Sequence, residues 1–159
     1  MEVKSRHHLR GDEIDGIVDG IEATLGVTVE GDSFEDVELA DSDRRIVLVD
    51  GEPYVAFFDG EPFLTVNGAQ EFPPVKNVVT VDAGAISFVS DGADVMRPGI
   101  VEADDSIQDG DLVAIAEETH GKVLAVGRAL TDGADMVGDN GKVVKSLHHV
   151  GDDLFEFSV

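Results

Sequence analysis

The chain has 159 residues and sets 11 Lys and Arg against 34 Asp and Glu, a formal charge of −23 at neutral pH. That length holds one ordinary domain or two small ones, and 42% apolar residues are enough to build a core, so acidity here does not mean disorder. No apolar run approaches the ~20 residues of a membrane helix, residues 1–11 mix charged and polar groups rather than forming a leader, and the lack of Cys excludes disulfides, thiol catalysis and Cys-based zinc sites.

The first predicted element is a helix over residues 12–25. Ile14, Ile17, Val18, Ile21 and Leu25 recur at helical spacing and make one apolar face. Asp12 is the expected N-cap and Gly26 the expected stop. Gly16 and Gly20 lie inside and weaken the helix by about 1 kcal/mol each against Ala. From residue 27 the pattern turns to strands. Residues 45–49 form one, Asp50-Gly51 is a hairpin turn, and residues 54–58 return. Asp59-Gly60 is a second such turn before residues 62–66. This half reads as one helix on a small antiparallel sheet. A boundary falls at residues 72–76, where Pro73 and Pro74 can neither continue a helix nor donate to a central ladder.

The second half opens with a strand over residues 78–81, then a short helix over 85–89 closed by Asp91-Gly92. A loop over residues 95–98 leads to a short strand at Ile100 and Val101. Residues 112–116 are almost all apolar, as a strand buried on both faces would be. His120-Gly121 turns the chain and residues 123–127 pair back. Residues 131–136 suggest another short helical turn, and residues 142–144 and 154–157 supply the last strands. Short strands with Gly-rich turns suggest a small, partly closed barrel. The expected fold class is therefore α+β, with units over residues 1–75 and 76–159.

Four spaced motifs in the second half carry a resemblance. They are Val81-Asp82-Ala83-Gly84-Ala85, the run from Asp91-Gly92-Ala93-Asp94-Val95-Met96 to Arg97-Pro98-Gly99-Ile100-Val101, Asp109-Gly110-Asp111-Leu112-Val113, and Gly121-Lys122 through Ala125-Val126-Gly127. In that order they resemble the PUA domain, over residues 76–159. The whole chain is similar to the stand-alone archaeal PUA proteins, relatives of the eukaryotic malignant-T-cell-amplified protein. Val3-Lys4-Ser5-Arg6-His7 and Val49-Asp50-Gly51-Glu52-Pro53 suit the pre-PUA domain of that group, and residues 144–152 suit its C-terminal strand. The resemblance implies a non-catalytic protein that binds structured RNA, tRNA or rRNA. It further implies a link to the small ribosomal subunit in initiation or re-initiation, beside a SUI1-type domain protein. Cofactor, metal, membrane and DNA are not expected, and the expected location is the cytoplasm.

Several residues are candidates for that RNA contact. Gly84 and Ala85 open a helix directly after a strand, where free N–H groups attract phosphate and a glycine lets the ligand approach; the alternative is that Gly84 only permits close helix–sheet packing. Asp82 reads as an N-cap, not a catalytic acid. Arg97 can fork onto a phosphate or base edge, or form a surface ion pair with Asp94 or Glu102. Pro98 and Gly99 shape its loop. Lys122, Arg128, Lys142 and Lys145 are the other cations of this half, and they can form a positive patch together. Adjacent His7-His8 and His148-His149 point to opposite faces of a strand and do not chelate one metal. The N-terminal cluster of Lys4, Arg6, His7, His8 and Arg10 is either a second RNA contact or a strand whose exposed face neutralises nearby acids. Arg44 and Arg45, before a strand, are equally open.

The acids do not form a tail: 6 basic and 18 acidic residues run through Lys76, and 5 and 16 follow it. Even acidity with only five Lys resembles the proteins of a salt-accumulating haloarchaeon. In molar salt the Debye length is about 3 Å and carboxylate repulsion fades, so net charge does not reject a nucleic-acid partner. Two further functions fit the same residues: an accessory that presents RNA to a transglycosylase or pseudouridine synthase, and a protein-interaction scaffold.

Overall fold

The computed structural model describes all 159 residues. Two sheets organise the chain. The first is an antiparallel meander of five strands in chain order: β1 (Val3–His8), β2 (Phe34–Leu39), β3 (Ile46–Val49), β4 (Glu52–Phe58) and β5 (Glu61–Leu64). Both Asp-Gly turns adopt left-handed backbone at each residue, with φ of 52° and 85° at Asp50 and Gly51 and 52° and 82° at Asp59 and Gly60. That geometry matches the right-handed twist of the strands it joins.

Helix α1 (Gly11–Leu25) covers this sheet with Ile17, Ile21 and Leu25 buried. Its N-cap is Arg10, not Asp12: the Arg10 N–H donates to the Glu13 carboxylate at 3.3 Å, and Asp12 lies in the first turn. Gly26 ends the helix at φ 72°. The N-terminal basic cluster is an edge strand. Arg6 donates to Glu35 at 2.9 and 3.1 Å, and Lys4 and His7 lie against Glu38 and Asp36 of β2. These ion pairs fit the reading of the cluster as a strand whose exposed face neutralises nearby acids.

The expected third strand stops at Leu64. Thr65 accepts from the Gly68 N–H at 3.0 Å and caps a helix that the sequence reading missed, α2 (Val66–Glu71). After the prolines, β6 (Val78–Val81) leads into a tight turn at Ala83–Ala85 and α3 (Ile86–Ser90). Then follow β7 (Val95–Met96), a tight turn at Arg97–Gly99, β8 (Ile100–Ala103), β9 (Leu112–Glu117), β10 (Val123–Ala129) and β11 (Lys142–His149). These six form the second sheet in the order β7-β11-β10-β9-β6-β8, with β6 and β9 parallel and the other pairs antiparallel. It is the expected barrel of short mixed strands.

Residues 154–157 are not a strand. Asp152 accepts from the Phe155 N–H at 2.9 Å and caps the one-turn helix α4 (Asp153–Glu156). The alternation of Leu154, Phe155, Glu156 and Phe157 mimics strand periodicity, but the cap two residues earlier sets the local structure.

Every residue of β9 is buried, and its two faces serve two cores. Val113 and Ile115 face the barrel interior beside Val79, Val81, Leu124 and Val143. Leu112, Ala114 and Ala116 face outward and join the core of the first sheet, with Val123 and Val126. One apolar core thus runs across the seam between the two sheets. Helix α2 sits in this seam, where Gln70 donates to the Val123 carbonyl at 3.2 Å and Asn67 to the Phe155 carbonyl at 3.0 Å. No helix is long and apolar enough to cross a membrane.

Candidate nucleic-acid interface

A groove of about 290 Å³ opens where the start of α3 faces the β7 loop. Asp82, Gly84 and Ala85 form one wall and Met96, Pro98 and Gly99 the other, with Phe88 and Val95 between them. The walls are fixed by backbone. Asp82 N–H donates to the Gly99 carbonyl at 2.9 Å, and a Cβ on Gly99 would lie 3.1 Å from that of Ala85. Gly99 therefore lets the two loops touch.

The helix start differs from the expected phosphate cradle. Asp82 Oδ1 accepts from the Ala85 N–H at 3.0 Å, so the side chain already occupies this donor and places a carboxylate beside it. Gly84 is exposed on the rim, and a Cβ there would meet only its own cap, Asp82 Oδ1, at 3.3 Å. It packs on no sheet residue, so close helix–sheet packing is not its role.

Two side chains that the sequence reading did not single out dominate the groove. Phe88 is 66% exposed and Met96 is 49% exposed. Apolar groups this large usually go inside. Here Val89 takes the buried position of α3 and leaves Phe88 in water. The sequence signal is faint, because Phe88 next to Val89 reads as ordinary helix core.

Asp94 completes the groove wall. It accepts from the Ser146 N–H at 2.8 Å and pairs with Lys142 at 3.1 Å. The Ser146 bond, against a smaller desolvation by burial, and the Lys142 contact hold its carboxyl below the usual range. Lys142 lies opposite Met96 across the β11–β7 ladder, and Lys145 is close enough for its charge to act on Asp94. Arg97 points away from the groove. Its Nε donates to the Asp135 carbonyl at 2.8 Å and its Nη1 to the Asn140 carbonyl at 2.9 Å. It pins the 135–141 loop and pairs with neither Asp94 nor Glu102.

The expected patch is therefore divided. Gly84, Ala85, Pro98 and Gly99 line the groove, Lys142 and Lys145 flank it, and Arg97 braces the loop behind. Lys122 and Arg128 lie elsewhere. Lys122 sits in the β9–β10 turn, where Glu117 accepts from the N–H groups of Lys122, His120 and Thr119 at 2.8 to 2.9 Å. Those bonds, the one from Lys122 first, hold the Glu117 carboxyl below its usual range although the residue is buried. Arg128 crosses the seam and donates to Glu61 at 3.0 Å, Asp59 at 3.3 Å and the Gly110 carbonyl at 2.7 Å.

His148 is a second tie across the seam and is fully buried. Its Nε2 accepts from the Val66 N–H at 3.0 Å, so its proton sits on Nδ1, which donates to Asp152 at 2.8 Å. Burial pushes the Asp152 carboxyl up, but the bonds from His148, Phe155 and His149 outweigh it and hold it at about 2.

A five-stranded meander joined through a shared core to a six-stranded mixed barrel, with this groove on the barrel, defines a class of two-part α+β proteins. The PUA domain family model matches residues 77–151, and the chain belongs to the PUA-domain proteins. It is similar over nearly its whole length to two solved structures. One is a hypothetical protein of Pyrococcus horikoshii, 30% identical with a TM-score of 0.86, covering 98% of this chain and 100% of that one. The other is a conserved PUA domain protein of Thermoplasma acidophilum, 30% identical with a TM-score of 0.83, covering 95% and 97%. The chain is also related to translation machinery-associated protein 20 of Saccharomyces cerevisiae, 34% identical over 96 residues, which are 56% of this chain and 53% of that protein. It spans about half the length of the curated relatives it matches.

Proposed function

We propose that this chain is a non-catalytic RNA-binding protein of the translation machinery. It takes an unpaired base of tRNA or rRNA into the Phe88–Met96 groove, in the cytoplasm and on the small ribosomal subunit. A SUI1-type domain protein is its expected companion in initiation or re-initiation. The observation that carries the reading is a half-exposed thioether and a two-thirds-exposed phenyl ring, set between two loops of a PUA unit. A flat base stacks on such a ring for about 1–3 kcal/mol whatever its sequence. Carboxylates at the rim suit a base and not a phosphate: an ionised carboxylate only accepts hydrogen bonds, and exocyclic amino groups and ribose hydroxyls donate them. The relationship to translation machinery-associated protein 20 supports the ribosomal setting.

Sedimentation of native extract tests the setting. Tagged protein is expected to travel with small subunits, and Phe88→Ala to shift it to the top of the gradient. Wild-type protein that runs free of subunits would contradict the reading.

A further inference from the structure

A second recess, of about 600 Å³, lies at the seam between the sheets, bounded by residues 42–45, the β4–β5 turn and Leu147 of β11. We infer that this crevice, through the guanidinium of Arg44, grips the phosphodiester backbone of the same RNA whose base fills the Phe88 groove. The inference rests on the RNA reading above and adds the path that the strand takes.

Arg44 is the reason. The other five arginines all engage a carboxylate or a backbone carbonyl through their guanidinium. Arg44 engages none, in a chain with 34 carboxylates. It is held all the same. Its Cζ lies 5.3 Å from the Phe58 ring centroid, and Phe58 stacks on buried His148 at 6.2 Å. Ser42 Oγ accepts the Arg44 N–H at 3.1 Å and sets the loop. A planar fork with all its side-chain donors open, fixed on a rigid ring, is suited to two oxygens of an oxyanion.

The choice of RNA over a protein carboxylate comes from what lies between the two sites. Lys142 faces Met96 of the groove, and Lys145 follows on the same strand without an ion pair. Lys145 is cross-strand partner to Arg128, on the face turned to the seam, and Leu147 then lines the crevice. From Lys142 to Leu147 is roughly 16 Å at ~3.3 Å per residue. Lys145 and Arg44, the two cations there without a carboxylate partner, mark separate points along that line, which suits a chain of repeated phosphates, whereas a single carboxylate needs only one. Arg45, 4.2 Å from the Phe57 centroid, offers a further flat face for stacking. Of the acids on the rim, Asp59 is already paired with Arg128, which leaves Asp43.

The test uses the full chain and two probes, a random-sequence RNA tetranucleotide and a random-sequence dodecanucleotide, titrated over a range of KCl. Arg44→Ala is expected to weaken the dodecanucleotide about tenfold and leave the tetranucleotide unchanged, and Lys145→Gln, beside the groove, is expected to weaken the dodecanucleotide by a similar factor. Each should also flatten the log–log salt slope of the longer RNA by about 0.7, the loss of one phosphate contact. Phe88→Ala is expected to weaken both probes. If Phe88→Ala weakens both while Arg44→Ala changes neither affinity nor slope, the crevice inference is overturned and the groove reading stands; the crevice would then suit a carboxylate of a partner protein. If wild-type protein binds neither probe, the RNA reading and this inference fall together.

Discussion

Asp152 does three tasks with one carboxylate. It caps α4, receives the His149 N–H, and orients His148 so that its other nitrogen accepts from Val66 across the seam. Its carboxyl sits at about 2, below the ordinary 3.8. A depressed carboxyl stabilises the fold while ionised, so its contribution is complete above about pH 5 and is lost as pH falls through 3.8 towards 2. Solvent reaches 23% of the side chain and screens it, so we expect Asp152→Asn to cost about 1–2 kcal/mol at neutral pH. Unfolding followed from pH 7 to pH 2 should show the wild type losing that margin below pH 5 and the variant staying flatter. Parallel curves would contradict the assignment. Phe88 is the opposite case, a residue that nothing inside the molecule needs. Its exposure is not legible in the sequence, because a Phe beside a Val in a short helix carries no mark of which one faces water; Val89 is buried and Phe88 is not. Arg97 misled for a related reason. Its neighbours in sequence suggested Asp94 or Glu102, but its partners are carbonyls of a loop about forty residues on.

Local chemistry settled the elements wherever it was explicit. The two Asp-Gly turns, the apolar face of α1 with Gly26 behind it, and the uninterrupted apolar run of β9 were all legible, because each is a backbone or burial requirement written in adjacent residues. Helices α2 and α4 were not, and both fail in one way. Val66 continues an apolar run and Leu154 to Phe157 alternate, so periodicity favoured strands, while the capping oxygens of Thr65 and Asp152 decided for helix. Gly68 was a further clue. In α2 it lies so close to β4 that a Cβ would collide with the carbonyl oxygen of Tyr54. That carbonyl accepts from the Thr65 N–H, so it is not free to move aside. Gly68→Ala is therefore expected to destabilise the protein by about 1–3 kcal/mol, the range of an overpacked core, although Ala favours a helix by about 1 kcal/mol. Thermal melting checks this; a variant as stable as the wild type would mean that α2 can lift off β4.

At the scale of the whole molecule the seam is what the sequence could least reveal. The prolines near residue 73 mark the expected boundary between two units, and across it Leu112, Ala114 and Ala116 put one face of the barrel into the core of the meander. Arg128, read from sequence as one of a cationic group, instead ties the two sheets through Asp59 and Glu61. With His148, Asn67 and Gln70 also crossing the seam, the groove and the Arg44 crevice are held at a fixed separation, which is what a single RNA strand contacting both requires. Even acidity sets a further condition, since a body at −23 repels RNA unless salt screens it. Base stacking on an uncharged ring such as that of Phe88 carries no charge term of its own and does not depend on the lysines. The most direct measurement is crosslinking of bound RNA in native high-KCl extract, with sequencing, for wild-type protein and for Phe88→Ala. The expected result is enrichment of a defined tRNA or small-subunit rRNA segment by the wild type and its loss in the variant, whose fold should be intact because Phe88 is 66% exposed. Equal recovery of the same RNA by both proteins, or no enriched RNA at all, would contradict the account.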